Sequence, residues 1–245
     1  TFTGNSPVPA AISMTATPLA TTFVFGDTRS TESLSISVQA PGRQWTLASN
    51  AAWLQVTNAA QSGNASLAAT VDAGSLAPGS YTGTVTATSG ANAADRASLT
   101  VAVTVLPASF SVVEREVLLG GADGRSATLQ QAVSFALQAG NGLHPYSVSL
   151  STDDGGDWLT VDAAGGTVGS AGRTITVAAS RAGLAGGTRT GQLRVSVDVK
   201  GTAFTELLPV VFNTEASRIV TTTEGVGLSR VPGRDVLSRR VQVLS

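Results

Sequence analysis

Trp53-Leu54-Gln55-Val56-Thr57 and Trp158-Leu159-Thr160-Val161-Asp162 are two copies of one line of sequence. Each copy is followed, at matching spacing, by a segment that ends in valine, a turn of small residues and a long alternating segment. The turn reads Leu76-Ala77-Pro78-Gly79 in the first copy and Leu184-Ala185-Gly186-Gly187 in the second. The period of about 100 residues is too long for a solenoid repeat and fits one complete β-sandwich.

The apolar residues of both copies alternate with polar ones, as half-buried strands require. Leu34, Ile36 and Val38 alternate with serines in the first copy. In the second copy, four apolar residues from Leu193 to Val199 alternate with polar residues. No helical periodicity of comparable strength is present. We therefore predict an all-β fold of tandem immunoglobulin-like antiparallel β-sandwiches, with about seven strands each.

The repeat also predicts the domain boundaries. Residues 1–11 are expected to be a linker or N-terminal arm, 12–106 the first sandwich and 107–215 the second, with Pro107 at the boundary. Thr22–Phe25 is predicted as the first strong strand of the first sandwich, and Phe110–Leu119 as one strand of the second. Residues 216–245 are either the start of a third module or a strand-donating tail, because Val236–Leu244 has a strand pattern but no tryptophan line follows it.

Composition excludes several classes of function. Charged residues make up 13% of the chain and the formal net charge is −1, so no nucleic-acid partner is expected. No apolar run reaches the roughly 18 residues of a membrane-spanning helix, so no membrane insertion is predicted. The sequence has no cysteine and one histidine, which excludes disulfides and multi-histidine zinc sites within one chain. Because Thr1 is not methionine, we expect a mature form or a piece of a longer protein.

The first copy carries motifs of a known family. Trp53-Leu54-Gln55-Val56-Thr57, Leu76-Ala77-Pro78-Gly79-Ser80-Tyr81-Thr82-Gly83-Thr84-Val85 and a terminal alternating valine strand together resemble a BACON module, an immunoglobulin-like bacterial domain. The second copy departs from this pattern, with Gly186 in place of Pro78 and Arg189 in place of Tyr81. The resemblance implies a secreted or bacterial cell-surface protein, a role in carbohydrate binding or as a spacer, and no catalytic residues or cofactors.

Aromatic residues are the candidates for a carbohydrate site, since sugar rings stack on exposed aromatic planes. Trp53 and Trp158 recur at one position of the repeat, which favours a place in the core between two sheets. Trp45, whose counterpart is Tyr146, is also expected in the core. Trp45 and Tyr81 are nevertheless kept as the candidate ligand-binding residues.

Two other groups were considered as sites. Asp153, Asp154 and Asp157 could offer oxygens to calcium, although they lack the spacing of an established calcium loop and Asp and Gly are common in turns. His144 lies in a Gly-Asn-Gly loop, where we expect solvent exposure rather than a catalytic triad. No Gly-x-Ser-x-Gly motif accompanies it, so the protein is predicted not to be an enzyme.

The function predicted from sequence is a non-catalytic structural or spacer module of a secreted or surface bacterial protein. Self-assembly through its terminal strands is a further hypothesis. The alternative is a carbohydrate-binding module attached to a glycoside hydrolase or adhesin. The expected partners are other modules of the same chain or other copies of it, with glycans under the alternative.

Overall fold

A computed structural model describes residues 11–120, 128–214, 220–221 and 243–244. The described residues form strands and connecting turns, with no helix among them. The chain divides into two compact units. The first runs to Ala108 and includes Ala139–Gly142, and the second contains Ser109–Gln138 and the residues from Leu143 onward.

The first unit contains nine strands in two sheets. In chain order these are β1 (Ser13–Thr17), β2 (Ala20–Val24), β3 (Thr31–Gln39), β4 (Gln44–Ser49), β5 (Leu54–Val56), β6 (Gln61–Ser62), β7 (Ala65–Asp72), β8 (Gly79–Ser89) and β9 (Arg96–Leu106). One sheet has the order β1-β3-β7-β5 and the other β2-β9-β8-β4-β6. All pairs are antiparallel except β2 with β9, which is parallel.

In the second unit, the described residues from Ser109 to Asn213 repeat this arrangement with nine strands of their own. They are β10 (Ser109–Val112), β11 (Val117–Leu119), β12 (Thr128–Gln138), β13 (His144–Thr152), β14 (Leu159–Val161), β15 (Gly165–Val168), β16 (Arg173–Ser180), β17 (Thr188–Val199) and β18 (Thr202–Asn213). The sheet orders are β10-β12-β16-β14 and β11-β18-β17-β13-β15, again with one parallel pair, β11 with β18. The predicted immunoglobulin-like all-β fold is therefore confirmed for both copies.

Equivalent backbone hydrogen bonds show that the tryptophan lines occupy the same place in each sandwich. The carbonyl of Trp53 accepts from the Asp72 amide at 2.7 Å, and the carbonyl of Trp158 accepts from the Ser180 amide at 2.9 Å. Each tryptophan immediately precedes a short edge strand, β5 or β14. The repeat read from the sequence is thus a repeat of structure.

The cores follow the predicted alternation. In β3 the side chains of Leu34, Ile36 and Val38 are buried, and in β17 the same is true of four apolar residues from Leu193 to Val199. The intervening residues are exposed or partly exposed. Because one face of every central strand is apolar, a slip of one residue in register would expose the whole set.

The first strand of each sandwich differs from the prediction. Thr22–Phe25 corresponds to β2, but β1 precedes it in the opposite sheet. The single strand predicted for Phe110–Leu119 is wrong, because β10 and β11 lie in different sheets. In the segment that connects them, the Glu114 carboxylate accepts a hydrogen bond from the Ser134 amide at 2.7 Å. Both pieces keep the period of two, so alternation alone gives no sign that the chain changes sheets.

Most of the predicted third module or tail lies outside the described residues. The two short segments that are described, β19 (Val220–Thr221) and β20 (Val243–Leu244), pair antiparallel with each other. Both hypotheses for residues 216–245 stay predictions.

Candidate functional site

The Trp45 side chain belongs to the core of the first sandwich. It lies in β4, is 1% exposed, and its indole Nε1 donates to the carbonyl of Gly63 at 2.8 Å. Its counterpart Tyr146 is 4% exposed and packs edge-on against Phe135, with ring centroids 5.1 Å apart. The expected core position of Trp45 is thus observed, and its ring offers no free plane for a sugar.

The two repeated tryptophans are buried to different extents. Trp158 is 3% exposed and packs on Phe212, with ring centroids 5.4 Å apart. Trp53 is only partly buried, and its ring lies so close above Gly83 that a Cβ there would be 2.9 Å away. The prediction of a core position therefore holds for Trp158, whereas Trp53 packs against the core from its margin.

The surroundings of one equivalent glycine also differ between the sandwiches. At Gly191, the equivalent of Gly83, an added Cβ would meet the Ser151 backbone instead of a tryptophan. The sequence repeat carries the glycine in both copies but does not show what covers it.

Tyr81 closes the turn between β7 and β8. Its hydroxyl donates to the carbonyl of Ala77 at 2.8 Å, and its partly buried ring lies beside Gly79. This is the geometry of a tyrosine corner, in which a tyrosine near the start of a strand bonds backbone a few residues upstream. The hydroxyl therefore has a structural partner.

In the second sandwich an ionic network occupies the corresponding corner. Asp154 accepts from the Trp158 indole at 2.9 Å and from the Gly156 amide at 3.0 Å, and it pairs with Arg189, the residue that stands in place of Tyr81. The hydrogen bond from the indole is the main cause of a lowered Asp154 pKa, followed by the Gly156 amide. Sequence comparison found the exchange of tyrosine for arginine, but not the partner of the arginine.

The acidic turn considered for calcium is part of this network. Asp153 accepts a hydrogen bond from the Thr190 hydroxyl, and Asp154 accepts one from the Trp158 indole. In the described part of the chain, no three His, Cys, Asp or Glu side chains gather in a group that could hold a metal ion. The carboxylates of Asp153 and Asp154 are turned to protein donors, which makes the turn a structural corner.

His144 does not lie in an exposed loop, and that prediction is wrong. It is the first residue of β13, is 9% exposed and pairs with Val168 of β15. The inward residues of this strand, His144, Tyr146 and Val148, follow the strand period. The strand begins at His144, one residue earlier than the loop prediction assumed. The pleat of the strand turns the imidazole inward.

Small hydroxyl residues line the outer faces of both sandwiches, where the alternation of serines and threonines with apolar residues predicts them. Cross-strand hydroxyl pairs join Ser35 with Ser66 at 3.3 Å and Thr86 with Ser98 at 2.9 Å in the first unit. The second unit has pairs of the same kind, Ser134 with Thr174 and Ser196 with Thr205, each at 2.9 Å. The outer surfaces are thus polar ladders, while the large aromatic rings point inward.

Within the described residues, no helix is long and apolar enough to cross a bilayer. No curated protein matches the sequence. Solved structures with similarity include the titin domains z1z2 in complex with telethonin, at 15% identity and TM-score 0.40, covering 84% of this chain and 98% of that one. The D00-D0 domain of intimin has 12% identity and TM-score 0.31, with 82% and 98% covered. The Yersinia pseudotuberculosis adhesin InvE has 14% identity and TM-score 0.31, with 82% and 58% covered.

A family model described as the viral BACON domain matches residues 13–104 and 125–205. The first match runs from β1 into β9, and the second from β12 into the beginning of β18. This confirms the BACON-like resemblance seen in the tryptophan lines. The chain belongs to the family of that model, with one BACON domain in each half.

Proposed function

We propose that the chain is a non-catalytic structural spacer within a secreted or surface-exposed protein of a bacterium or of a virus particle. The observation that carries the proposal is the division between inner and outer residues in both sandwiches. Trp45, Trp158 and Phe212 are turned into the cores, whereas paired serine and threonine hydroxyls form the outer faces. Such a surface stays hydrated and resists aggregation, as a repeated spacer requires.

A spacer also needs modules that follow each other closely along the chain. The last strand of the first sandwich ends at Leu106 and the first strand of the second begins at Ser109, so that only Pro107 and Ala108 intervene. Proline restricts its own backbone and that of its neighbour, which makes a connection of this length stiff. These features support a spacer over a flexible tether.

Location outside the cell is part of the proposal. BACON-like modules occur in secreted and surface proteins, which is what the family resemblance implies. The matching model is described as a viral domain, and this extends the proposed setting from the bacterial surface to the virus particle.

The carbohydrate-binding alternative receives no specific support from the candidate residues. Trp45 is buried, and the hydroxyl of Tyr81 is engaged by its own turn. A glycan array probed with the complete chain tests this alternative. Binding that is lost in Tyr81→Ala or Trp53→Ala, with the fold retained by circular dichroism, would overturn the spacer proposal in favour of the carbohydrate-binding module.

Mechanical unfolding of the complete chain tests the spacer proposal directly. Held between two handles and stretched, a pair of independent sandwiches is expected to unfold in two separate steps. Each step should release roughly 300 Å of chain, given about 3.4 Å per extended residue. A single gradual extension without force peaks would contradict a load-bearing spacer.

We also propose that copies of the chain associate with each other through the terminal segment, residues 216–245. This self-association is supported by a strand pattern in Val236–Leu244 that has no sandwich core of its own. Removing residues 216–245 should abolish assembly and leave both sandwiches folded, and sedimentation velocity over a concentration series measures this.

A further inference from the structure

One edge of the second sandwich is left open. The strand β18 pairs with β17 along its whole length, from Thr202 to Asn213. On its other side it pairs with β11 only from Val210 to Phe212. Within the described residues, no strand pairs with this side of β18 between Thr202 and Pro209, a segment we call the β18 edge. Open edges of this kind are templates for strand addition.

The direction of the backbone groups follows from one hydrogen bond and the register. The Thr214 amide donates to the Gly187 carbonyl on the β17 side, at 2.9 Å, and the pairing continues without a bulge. Residues with even numbers therefore turn their N–H groups toward β17, and odd-numbered residues turn them away. Ala203, Thr205 and Leu207 thus present N–H and C=O groups outward, whereas Pro209 presents only a carbonyl.

Apolar residues flank this edge in the second sandwich. Leu207 is 52% exposed. Beside it a groove of about 350 Å³ runs between the β18 edge and β10, with Phe110 and Val112 on one side and Glu206 on the other. Glu114 and Arg115 also line it, and Glu114 is partly engaged by the Ser134 amide.

The equivalent edge of the first sandwich is polar. Thr86 of β8 and Arg194 of β17 occupy equivalent positions in the repeat. Thr86 pairs with Ser98 and Arg194 pairs with Leu207, so Ser98 is the counterpart of Leu207. Thr100 likewise stands where the second sandwich has Pro209. The unpaired half of β9 therefore presents Ser98 and Thr100 where β18 presents Leu207 and Pro209, and it provides a built-in control.

The C-terminal segment has the properties that the β18 edge would recognise. Val236–Leu244 combines valines and leucines with Arg239 and Arg240. Residues 216–245 contain five arginines against Glu224 and Asp235, whereas the whole chain has a net charge of −1. The residues before the tail are therefore net negative, so that the tail and the rest of the chain attract each other. Arginine in an added strand would pair with Glu206 in the groove.

We propose that the β18 edge of one copy accepts the segment Val236–Leu244 of a second copy as an added strand. This inference rests on the self-association proposed above and names its acceptor. Among the described residues of the tail, Val243–Leu244 pairs with Val220–Thr221. The β18 edge from Thr202 to Pro209 offers an added strand a ladder of up to eight residues. Each copy would carry one donor and one acceptor, which gives head-to-tail assembly.

The first test uses the complete chain and one backbone change at the edge. Thr205→Pro removes an outward N–H and is expected to weaken association by about tenfold or more in sedimentation velocity. Ser98→Pro is the matched control, because it removes an outward N–H from β9 and, like Thr205→Pro, a cross-strand hydroxyl pair. Circular dichroism checks that both variants fold. Equal association of the two variants would overturn the assignment of the β18 edge.

The second test identifies the donor and exploits the absence of cysteine. A Thr205→Cys chain is mixed with a Val241→Cys chain and oxidised mildly, and mass spectrometry is expected to find the mixed disulfide between the two chains. A chain that carries both changes, oxidised at high dilution, reports pairing within one chain. A disulfide found only there would overturn the intermolecular proposal.

Truncation separates the inference from the proposal on which it rests. If deletion of residues 236–245 leaves assembly unchanged, the tail is not the donor and the proposed self-association fails with it. If the deletion abolishes assembly but Thr205→Pro does not weaken it, the tail is the donor and the β18 edge is the wrong acceptor. A chain that stays monomeric throughout the concentration series overturns both, while the two-step mechanical unfolding of the spacer is unaffected.

Discussion

The residue that closes the turn before the longest strands differs between the two sandwiches. Tyr81 closes it in the first, where its hydroxyl donates to Ala77, and Arg189 stands in its place in the second. Tyr81→Phe removes this hydrogen bond and keeps the ring, so we expect the first sandwich to lose about 1 kcal/mol of unfolding free energy. Urea unfolding followed by hydrogen exchange and mass spectrometry, which resolves the two sandwiches, measures the loss.

A tyrosine in the second sandwich provides the control. The Tyr146 hydroxyl is buried and has no hydrogen-bond partner among the described residues. Tyr146→Phe should therefore be neutral or stabilising, because it removes a polar group that lost its water without gaining a partner. Equal destabilisation by the two changes would contradict the tyrosine-corner role of Tyr81.

The carboxylate of Asp154 predicts a pH dependence for the second sandwich. Its pKa is lowered from 3.8, first by the Trp158 indole and then by the Gly156 amide, with a contribution from Arg189. A lowered pKa means that the contribution to stability is complete above pH 3.8 and is lost as the pH falls through the folded-state value. Asp154→Asn should destabilise the second sandwich at pH 7, and the difference from wild type should shrink below pH 3.8.

The same hydrogen-exchange experiment, repeated over a pH series, measures this difference. Asp157→Asn is the control, because it removes a charge from the same turn and leaves the bonds of Asp154 in place. A destabilisation by Asp154→Asn that stays constant from pH 7 to pH 2 would show that the ionised carboxylate is not what stabilises the corner.

At the scale of the elements, the hairpin of β17 and β18 contains backbone strain at its tip. Lys200 and Gly201 form a two-residue loop in which both φ angles are positive, +51° and +83°. Glycine tolerates this conformation and asparagine accepts it, whereas lysine has an unfavourable contact of its Cβ. Lys200→Asn is therefore expected to stabilise the second sandwich by about 0.5–1 kcal/mol in urea unfolding.

Removal of the lysine charge has to be separated from relief of this strain. Lys200→Ala removes the charge and keeps a Cβ in the left-handed region, so it should give no gain. If the alanine and asparagine variants gain equally, the effect comes from the side chain of Lys200 and not from its backbone conformation.

At the scale of the whole molecule, charge asymmetry predicts a salt-dependent assembly. The tail is basic and the preceding residues are net negative. Raising the ionic strength from about 0.1 M to 1 M shortens the screening length from roughly 10 Å to 3 Å. Association of the complete chain should therefore weaken with salt, as measured by sedimentation velocity.

Neutral replacement of the two adjacent arginines isolates this effect. A chain with Arg239→Gln and Arg240→Gln should associate more weakly at low salt and depend less on salt than the wild type. Association that strengthens as salt is added would indicate that apolar burial at Leu207 outweighs the charge contribution.

Much of the architecture could be predicted because it depends on local pattern. Strand alternation reports which face is buried, as at Leu34, Ile36 and Val38, and the repeat of the tryptophan line reports that one fold occurs twice. His144 was misplaced because the loop was expected to extend to it, whereas it begins β13 and shares the inward face of that strand with Tyr146 and Val148. The sheet change between β10 and β11 was missed because both strands have the same period.

The sequence by itself determined the family, the all-β class and the inward faces of the central strands, since periodicity and motif spacing are properties of neighbouring residues. Only the tertiary structure decided what surrounds each side chain. It placed Trp53 over Gly83 but Trp158 on Phe212 and joined Arg189 to Asp154. It also shows that, among the described residues, no strand pairs with the β18 edge. These relations join residues that are distant in the chain, and the packing of one sheet on the other determines them.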